Sequence, residues 1–290
     1  MGGVILKVLF RENVFLHKTI AISGSTGGLG KELCFHIARL GGNIIMLDRS
    51  KEKAAALKAE INKEYPSIKI GYIRLDLEDL ESVKLAVKSL KSSPPDYILL
   101  NAGAYSIPRH TTSLGYLNVF QINYLAPYYI ARQMLPEIEA RGGKIVAVGS
   151  IAHNYSKTDD SDIDFSKHTR ASRIYGNAKR RLMFSLISLG SEHISIAHPG
   201  ITFTNITAHY PKIIFAIIKH PMKIIFMKPK KAALSILLGM VESTHGAEWI
   251  GPRFFDIWGK PKLKKLNTCS AEEQRQIAAV SERLWKQLNT

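Results

Sequence analysis

The feature that most constrains this chain is an alternation that begins at Thr19. Short β-rich apolar runs take turns with longer segments whose apolar residues recur every three or four positions. The strand-like runs are Thr19–Ser23, Asn43–Asp48, Lys69–Leu75, Tyr97–Asn101, Lys144–Gly149 and Ile194–His198. Between them Gly28–Leu40, Lys51–Glu64, Leu80–Lys91, Tyr116–Ala140 and Arg173–Leu189 carry the spacing of amphipathic helices. Runs such as Ile98-Leu-Leu100 and Ile145-Val-Ala-Val148 are apolar on both alternating faces, as strands covered on each side must be. Repeated β-α units with short connections predict an α/β protein, a doubly wound parallel sheet with helices on both faces. No Pro/Gly/Ser linker divides the 290 residues, so residues 1–290 are expected to form a single dinucleotide-binding domain. Three segments stand outside the alternation: a polar stretch at 151–172, a basic apolar stretch at 207–231, and a tail at 271–288 with helical spacing and Thr268 or Ser270 available as a cap.

Ser23-Gly24-Ser25-Thr26-Gly27-Gly28-Leu29-Gly30 joins the first strand to the first helix. Glycines there allow a tight turn, let backbone approach a pyrophosphate and let the helix pack closely, while the helix N-terminus attracts negative charge. The spacing of Gly24, Gly28 and Gly30 is a variant of the dinucleotide fingerprint, and its place between strand and helix supports that reading over an ordinary Gly-rich turn. Asp48 follows Gly30 by 18 residues, at the end of the second strand. A carboxylate there accepts bonds from ribose hydroxyls and repels a 2′-phosphate, which argues for NAD. Arg49 beside it is either a solvated surface residue or a partner for the extra phosphate of NADP.

Tyr175-Gly-Asn-Ala-Lys179 sets a phenol and an ammonium four residues apart on one helical face, where the cation would draw the phenol toward the working range of a general acid/base. Tyr65 and Lys69 have the same spacing, but Pro66 and the following strand oppose a helix there. Ser150 ends the fifth strand and Asn101-Ala102-Gly103 ends the fourth, so both fall at the carboxyl edge of the sheet, where ligands bind in open parallel sheets.

Taken in order from about residue 18 to 242, these motifs resemble the short-chain dehydrogenase/reductase family of the single-domain type: Gly24, Gly28 and Gly30, Asp76, Asn101-Ala102-Gly103, Asn123, Ser150, Tyr175-x-x-x-Lys179, and Pro199-Gly200 with Thr204. Ser150-Ile-Ala-His153, the acidic insert before Tyr175, and Leu284-Trp285 resemble its retinol-dehydrogenase-like and hydroxysteroid-dehydrogenase branches. The resemblance implies a Rossmann-type fold and hydride transfer between NAD(P) and a secondary alcohol or ketone on a lipophilic, steroid- or retinoid-like substrate. It implies Tyr175 as general acid/base, Ser150 polarising the same oxygen, Lys179 holding the nicotinamide ribose and lowering the Tyr175 pKa, and Asn123 serving a proton relay. Thr26, Leu29, Asp76, Leu77, Asn101, Ala102, Gly103, Pro199, Gly200 and Thr204 would border the cofactor. Ala178 departs from relatives that carry a small hydroxyl residue before the Lys. Homo-oligomers are expected by family analogy. A non-catalytic dinucleotide-binding sensor or scaffold is the alternative, against which the intact Asn123, Ser150, Tyr175 and Lys179 set argues.

The charge balance is strongly basic, 40 Lys and Arg against 24 Asp and Glu for a net +16, which favours an anionic partner. From His193 to Val241 there is no acidic residue, yet Lys212, Lys219, Lys223, Lys228, Lys230 and Lys231 fall there among Ile, Phe and Met. Residues 207–231 therefore read as a substrate lid with solvated lysines, or as a lid that also lies on a membrane surface. Nucleic acid is the poorer partner, because few Arg or aromatic residues accompany these lysines. Cys34 and Cys269 make neither a disulfide framework nor a metal cluster, no metal-ligand spacing occurs, and no run of about 18 apolar residues predicts a membrane span. A cytoplasmic enzyme with no signal peptide, either free or membrane-associated, is the expectation.

Overall fold

A computed structural model describes residues 13–201 and 227–289. Eight strands form one sheet in the order β3-β2-β1-β4-β5-β6-β7-β8. β1 (Thr19–Ser23), β2 (Asn43–Asp48), β3 (Ile70–Arg74), β4 (Tyr97–Leu100), β5 (Lys144–Val148), β6 (Ile194–Ala197) and β7 (Glu248–Phe254) run parallel, and β8 (Trp258–Lys265) closes the edge antiparallel to β7. The chain starts in the middle at β1, builds outward to β3, then returns to place β4 on the other side of β1. That reversal opens a crevice at the carboxyl ends of β1 and β4.

Strand alternation divides the core into two layers. Ile20, Ile22, Leu99, Val146 and Val148 pack on α1 (Gly28–Arg39), α2 (Lys51–Glu64) and α6 (Pro229–Val241). Their neighbours Ala21, Ile98, Leu100, Ile145 and Ala147 face α3 (Leu80–Ser92), α4 (Ala126–Ala140), α5 (Ala171–Ser188) and α7 (Ala271–Asn289). With a side-chain period of two, a strand buried on both faces must be apolar at every position, and these are. The doubly wound parallel sheet expected from the alternation is thus the fold observed.

Three elements were not foreseen. β7 and β8 add two strands, and α6 takes the C-terminal end of the acid-free stretch into the core, with Ala232, Ala233 and Ile236 fully buried. Of the expected lid, Met227 is buried, Lys228 precedes α6 and Pro229–Lys231 open it, while residues 207–226, with Thr204, lie outside the described residues. The expected helix at 116–140 contains a π-helical segment, Gln121–Leu125, ahead of α4. The tail forms α7 as expected, and Ser270 is its cap, accepting from the Glu273 amide at 3.1 Å. It docks through Tyr124, whose hydroxyl meets that of Ser281 at 2.7 Å, and through Trp285, which sits against Tyr129 and under the Arg132 guanidinium. Among the described residues no helix is long and apolar enough to cross a membrane.

Candidate active site

The Gly-rich loop is built by close approach. Gly24 has φ +67°, a conformation that favours glycine, and a Cβ there would lie 3.1 Å from Ala102. A Cβ on Gly30 would stand 2.0 Å from the Gly24 carbonyl oxygen, so only glycine lets α1 seat against the loop. Gly28 and Leu29 open that helix, and its N-terminus differs from those of its neighbours. Ser50 caps α2 through the Lys53 amide and Asp79 caps α3 through the Glu81 amide. Gly27 offers α1 no side-chain cap, and no acid occupies its first turn. Its leading amides and the positive end of its dipole thus lack side-chain partners and suit a pyrophosphate.

Ser23, which sequence reasoning did not single out, fastens this loop to β4. Its hydroxyl accepts from the Asn101 and Ala102 amides, both at 3.0 Å, while Asn101 Nδ2 donates to the Ser23 and Gly24 carbonyls at 2.9 and 3.2 Å. Asp48 differs from expectation in where it points. Its buried carboxylate takes hydrogen bonds from the Ser25 hydroxyl, the Thr26 hydroxyl (2.9 Å) and the Thr26 amide (3.2 Å), which hold it against the loop. Arg49 is turned to solvent, 4.0 Å from Glu78, and Glu78 also meets His110 at 3.0 Å. Asp76 Oδ1 accepts from the Glu78 amide at 3.1 Å, and the Leu77 carbonyl accepts from Gln121 Nε2 at 3.2 Å, which pins this turn to the π segment.

At the other end of the crevice α5 presents Tyr175 and Lys179. The Lys179 ammonium lies 5.8 Å from the centre of the Tyr175 ring and donates to the Val148 carbonyl at 3.0 Å. Gly176, between them, is a residue that spacing alone did not reveal. A Cβ there would be 2.4 Å from the Ala152 carbonyl, so its absence lets α5 lie against the 3-10 turn Ile151–Asn154 that Ser150 begins. Ser150 caps this turn through the Ala152 amide at 3.2 Å, and its hydroxyl neighbours the Tyr175 phenol. Asn123 is fully buried in the π segment and clamps Ala104 at both ends: Nδ2 donates to its carbonyl at 2.8 Å and Oδ1 accepts from its amide at 3.1 Å. A Cβ on Gly103 would meet Asn123 Oδ1 at 2.9 Å and Lys179 Nζ at 3.6 Å. Asn101, Gly103, Asn123, Ser150, Tyr175 and Lys179 thus gather at one sheet edge.

The electrostatics of this pair differ from the expectation. Burial pushes the Tyr175 phenol up to about 12; the Ser150 hydroxyl draws it down, and charge repulsion from the Tyr105 phenol, whose ring stands edge-on at 5.3 Å, adds to the rise. Lys179 does not offset this, because burial lowers its own ammonium to about 8. Pro199 and Gly200 end β6; Gly200 has φ +83°, and a Cβ there would strike the Ile257 carbonyl at 2.6 Å. His198 stacks on Trp249 and donates to the Asp256 carbonyl at 3.0 Å, and burial lowers it to about 4, so it is neutral packing. His153 donates to the Ser150 carbonyl at 2.6 Å while its other nitrogen meets Thr268 Oγ1 at 2.9 Å. Tyr65 lies beyond the end of α2, so its spacing to Lys69 brings nothing together. Among the described residues there is no cluster of metal ligands.

An uncapped helix N-terminus behind a glycine turn, facing a Tyr-Lys pair across one sheet edge, defines a nucleotide-binding Rossmann-type α/β fold. A family model described as short chain dehydrogenase matches residues 18–161. Three curated proteins are similar: a short chain dehydrogenase of Aspergillus nomiae (33% identity over 151 residues, 48% of this chain and 41% of that protein), an uncharacterized oxidoreductase of Schizosaccharomyces pombe (28% over 260 residues, 82% and 76%), and human retinol dehydrogenase 13 (26% over 202 residues, 66% and 61%). The match to the first and third of these spans less than two thirds of their own length. Among solved structures, an uncharacterized protein from Mycobacterium paratuberculosis has a TM-score of 0.74 at 21% identity, covering 96% of this chain and 97% of that one. The L-sorbose reductase of Gluconobacter frateurii, solved with NADPH and L-sorbose, has 0.59 at 19%, covering 79% and 92%. The chain belongs to the short-chain dehydrogenase/reductase family.

Proposed function

We propose that this chain is an NAD(P)-dependent oxidoreductase interconverting a secondary alcohol and a ketone on a lipophilic substrate of steroid- or retinoid-like character, with NAD preferred. The observation that carries the reading is the placement of Tyr175, between the Ser150 hydroxyl and the Lys179 ammonium, at the sheet edge that α1 also faces with its uncapped N-terminus. The likeness to retinol dehydrogenase 13 supports the lipophilic substrate. The negative charges of Asp48, on the glycine loop, and of Glu78, near Arg49, support NAD, since carboxylates disfavour a 2′-phosphate and Glu78 partly neutralises Arg49.

The Gly24–Gly30 loop and the α1 N-terminus would hold the pyrophosphate, and Lys179 with Tyr175 the nicotinamide ribose. A bound nicotinamide supplies or takes the hydride. Tyr175 moves the proton. In reduction its phenol, kept protonated by burial, donates to the carbonyl oxygen while Ser150 donates a second bond to the same atom. In oxidation Tyr175 must first lose its proton, which the Ser150 hydroxyl favours. Asn123, which holds the Ala104 backbone through its amide and its carbonyl, would serve the proton relay beside Lys179.

The test is Tyr175→Phe in an activity screen of hydroxysteroids, retinoids and long-chain ketones with NADH and NADPH. Turnover should fall about 10²- to 10⁴-fold while NAD(P)H binding and thermal midpoint stay near those of the parent. Turnover near the parent level would sink the mechanism. Tight dinucleotide binding without turnover across the whole panel would favour a sensor, and NADPH preference in the parent would overturn the cofactor choice.

A further inference from the structure

The turn between β7 and β8 holds an arrangement that folding alone does not account for. Phe254 pairs with Trp258 across the three-residue connection 255–257, in which the Ile257 amide donates to the Phe254 carbonyl at 3.0 Å and closes a β-turn centred on Phe255 and Asp256. Both central residues are left-handed, with φ +50° and +57°. A turn of that shape favours Asn-Gly, and a bulky residue at its first position is strained. The strained side chain is Phe255, 81% exposed, whose ring neighbour is Trp258 at 6.2 Å. Phe254 and Trp258 are also exposed, at 48% and 42%. Backbone strain that displays an aromatic ring to solvent points to a ligand for that ring.

The tip is held rigidly. His198 donates to the Asp256 carbonyl at 3.0 Å, Lys264 Nζ donates to Asp256 Oδ1 at 2.8 Å and to the Pro252 carbonyl at 2.6 Å, and the Ile201 amide donates to the Ile257 carbonyl at 3.3 Å. Around the rings the charge has one sign. Residues 253–265 contain Arg253, Lys260, Lys262, Lys264 and Lys265 against Asp256 alone, and Lys264 pairs with that acid. Lysines and Pro261 on an edge strand also discourage strand addition, but that does not explain three exposed rings at the turn. A convex tip of this size buries far less than the roughly 800 Å² per partner of a stable protein interface. Aromatic rings flanked by cations match the headgroup region of an anionic bilayer in both polarity and charge.

We propose that the β7–β8 hairpin tip, through Phe254, Phe255 and Trp258 with Arg253, Lys260 and Lys262, docks the protein on an anionic lipid surface. β7 runs parallel to β6, so its C-terminal end lies at the sheet edge that carries Gly24 and Ser150, and docking there turns the crevice toward the bilayer. The inference stands independently of the dehydrogenase reading, because vesicle binding needs neither cofactor nor substrate.

The experiment is co-sedimentation of the full chain with phosphatidylcholine vesicles, with and without phosphatidylserine. The parent should partition onto the anionic vesicles and come off in high salt. Phe255→Ser should weaken partitioning about tenfold or more, and Lys260→Gln with Lys262→Gln about thirtyfold. Phe255→Gly separates docking from folding: glycine suits the left-handed backbone, so its thermal midpoint should equal or exceed the parent's while vesicle binding falls. Equal binding of parent and hairpin variants, or no preference of the parent for phosphatidylserine, overturns the proposal. So does a dimer in the ultracentrifuge that Phe255→Ser dissociates, since a second copy would then own the tip.

Discussion

Lys179 is 2% exposed, with one hydrogen bond to the Val148 carbonyl, and among the described residues no carboxylate pairs with it. A buried ammonium in that state is costly, and burial lowers its pKa from 10.5 to about 8. The consequence is a specific pH dependence of stability. Between about pH 8 and 10.5 the unfolded chain keeps a proton that the folded chain has released, so the unfolded state binds more protons and stability rises with pH. Below that window the burden is complete, about 3 kcal/mol for a shift of this size; between about pH 7 and 9.5 roughly 2 kcal/mol of it is relieved. Lys179→Met keeps an apolar stem and removes the titrating group, at a loss of about 1 kcal/mol for the Val148 bond. Urea unfolding of both proteins at the two pH values measures the effect, since the other groups cancel in the comparison. The parent should gain about 2 kcal/mol more than the variant on going to the higher pH, and at pH 7 the variant should be the more stable by about 2 kcal/mol. A difference in gain below about 0.5 kcal/mol would refute the argument, because the ammonium would then be hydrated or paired in the folded state.

Glu273 tests the opposite sign: burial pushes its carboxyl up, but the Arg180 guanidinium, bonded to both oxygens at 2.6 Å, holds it down to about 2. Its contribution is therefore full above about pH 4.5 and lost between there and pH 2, some 3 kcal/mol that Glu273→Gln should remove from the acid limb of a stability-pH curve; an unchanged acid limb would count against the pair. Gly30→Ala, with its Cβ 2.0 Å from the Gly24 carbonyl, should weaken NAD(P)H binding about tenfold or more in a fluorescence titration, and parental affinity would show that the loop does not hold the cofactor. Gly176→Ala should push Ser150 away from Tyr175, lowering kcat about ten- to a hundredfold with cofactor affinity unchanged; equal losses in both would mean general misfolding instead.

The central strands β1, β4 and β5 were legible in the sequence because a doubly covered sheet needs apolar residues on both faces, and Ile98-Leu-Leu100 can satisfy that in few other ways. β7 and β8 were not, because Gly251 and Pro252 interrupt one, and the other reads Lys260-Pro-Lys-Leu-Lys-Lys265, a polar edge without alternation strong enough to stand out. α6 was hidden for the opposite reason. It is apolar nearly all round and follows a basic stretch, so it lacks the amphipathic spacing that marks the other helices, and only its first turn was read, as part of the lid. At the site, spacing revealed Tyr175 and Lys179 since both lie on one helix. Gly176 escaped because its importance lies in Ala152, 24 residues away, and Asp48 was misdirected because no sequence pattern tells a carboxylate to choose Ser25 and Thr26 over an open crevice.

The two ends of the crevice share one mechanical support, the chain leaving β4. Ser23 takes the Asn101 and Ala102 amides, Asn101 returns bonds to the Ser23 and Gly24 carbonyls, and two residues later Asn123 holds Ala104 from both sides. Gly103 sits between these fastenings, where a Cβ would press on Asn123 and Lys179 together. The loop suited to the pyrophosphate and the ammonium beside Tyr175 are therefore positioned by adjacent peptide units of a single strand exit. A shift at Ala102 alters the seat of Gly24, and the same shift carried to Gly103 alters the space around Lys179. Rigid pairing of binding and reaction geometry follows from that shared backbone, with no contact needed between the loop and α5.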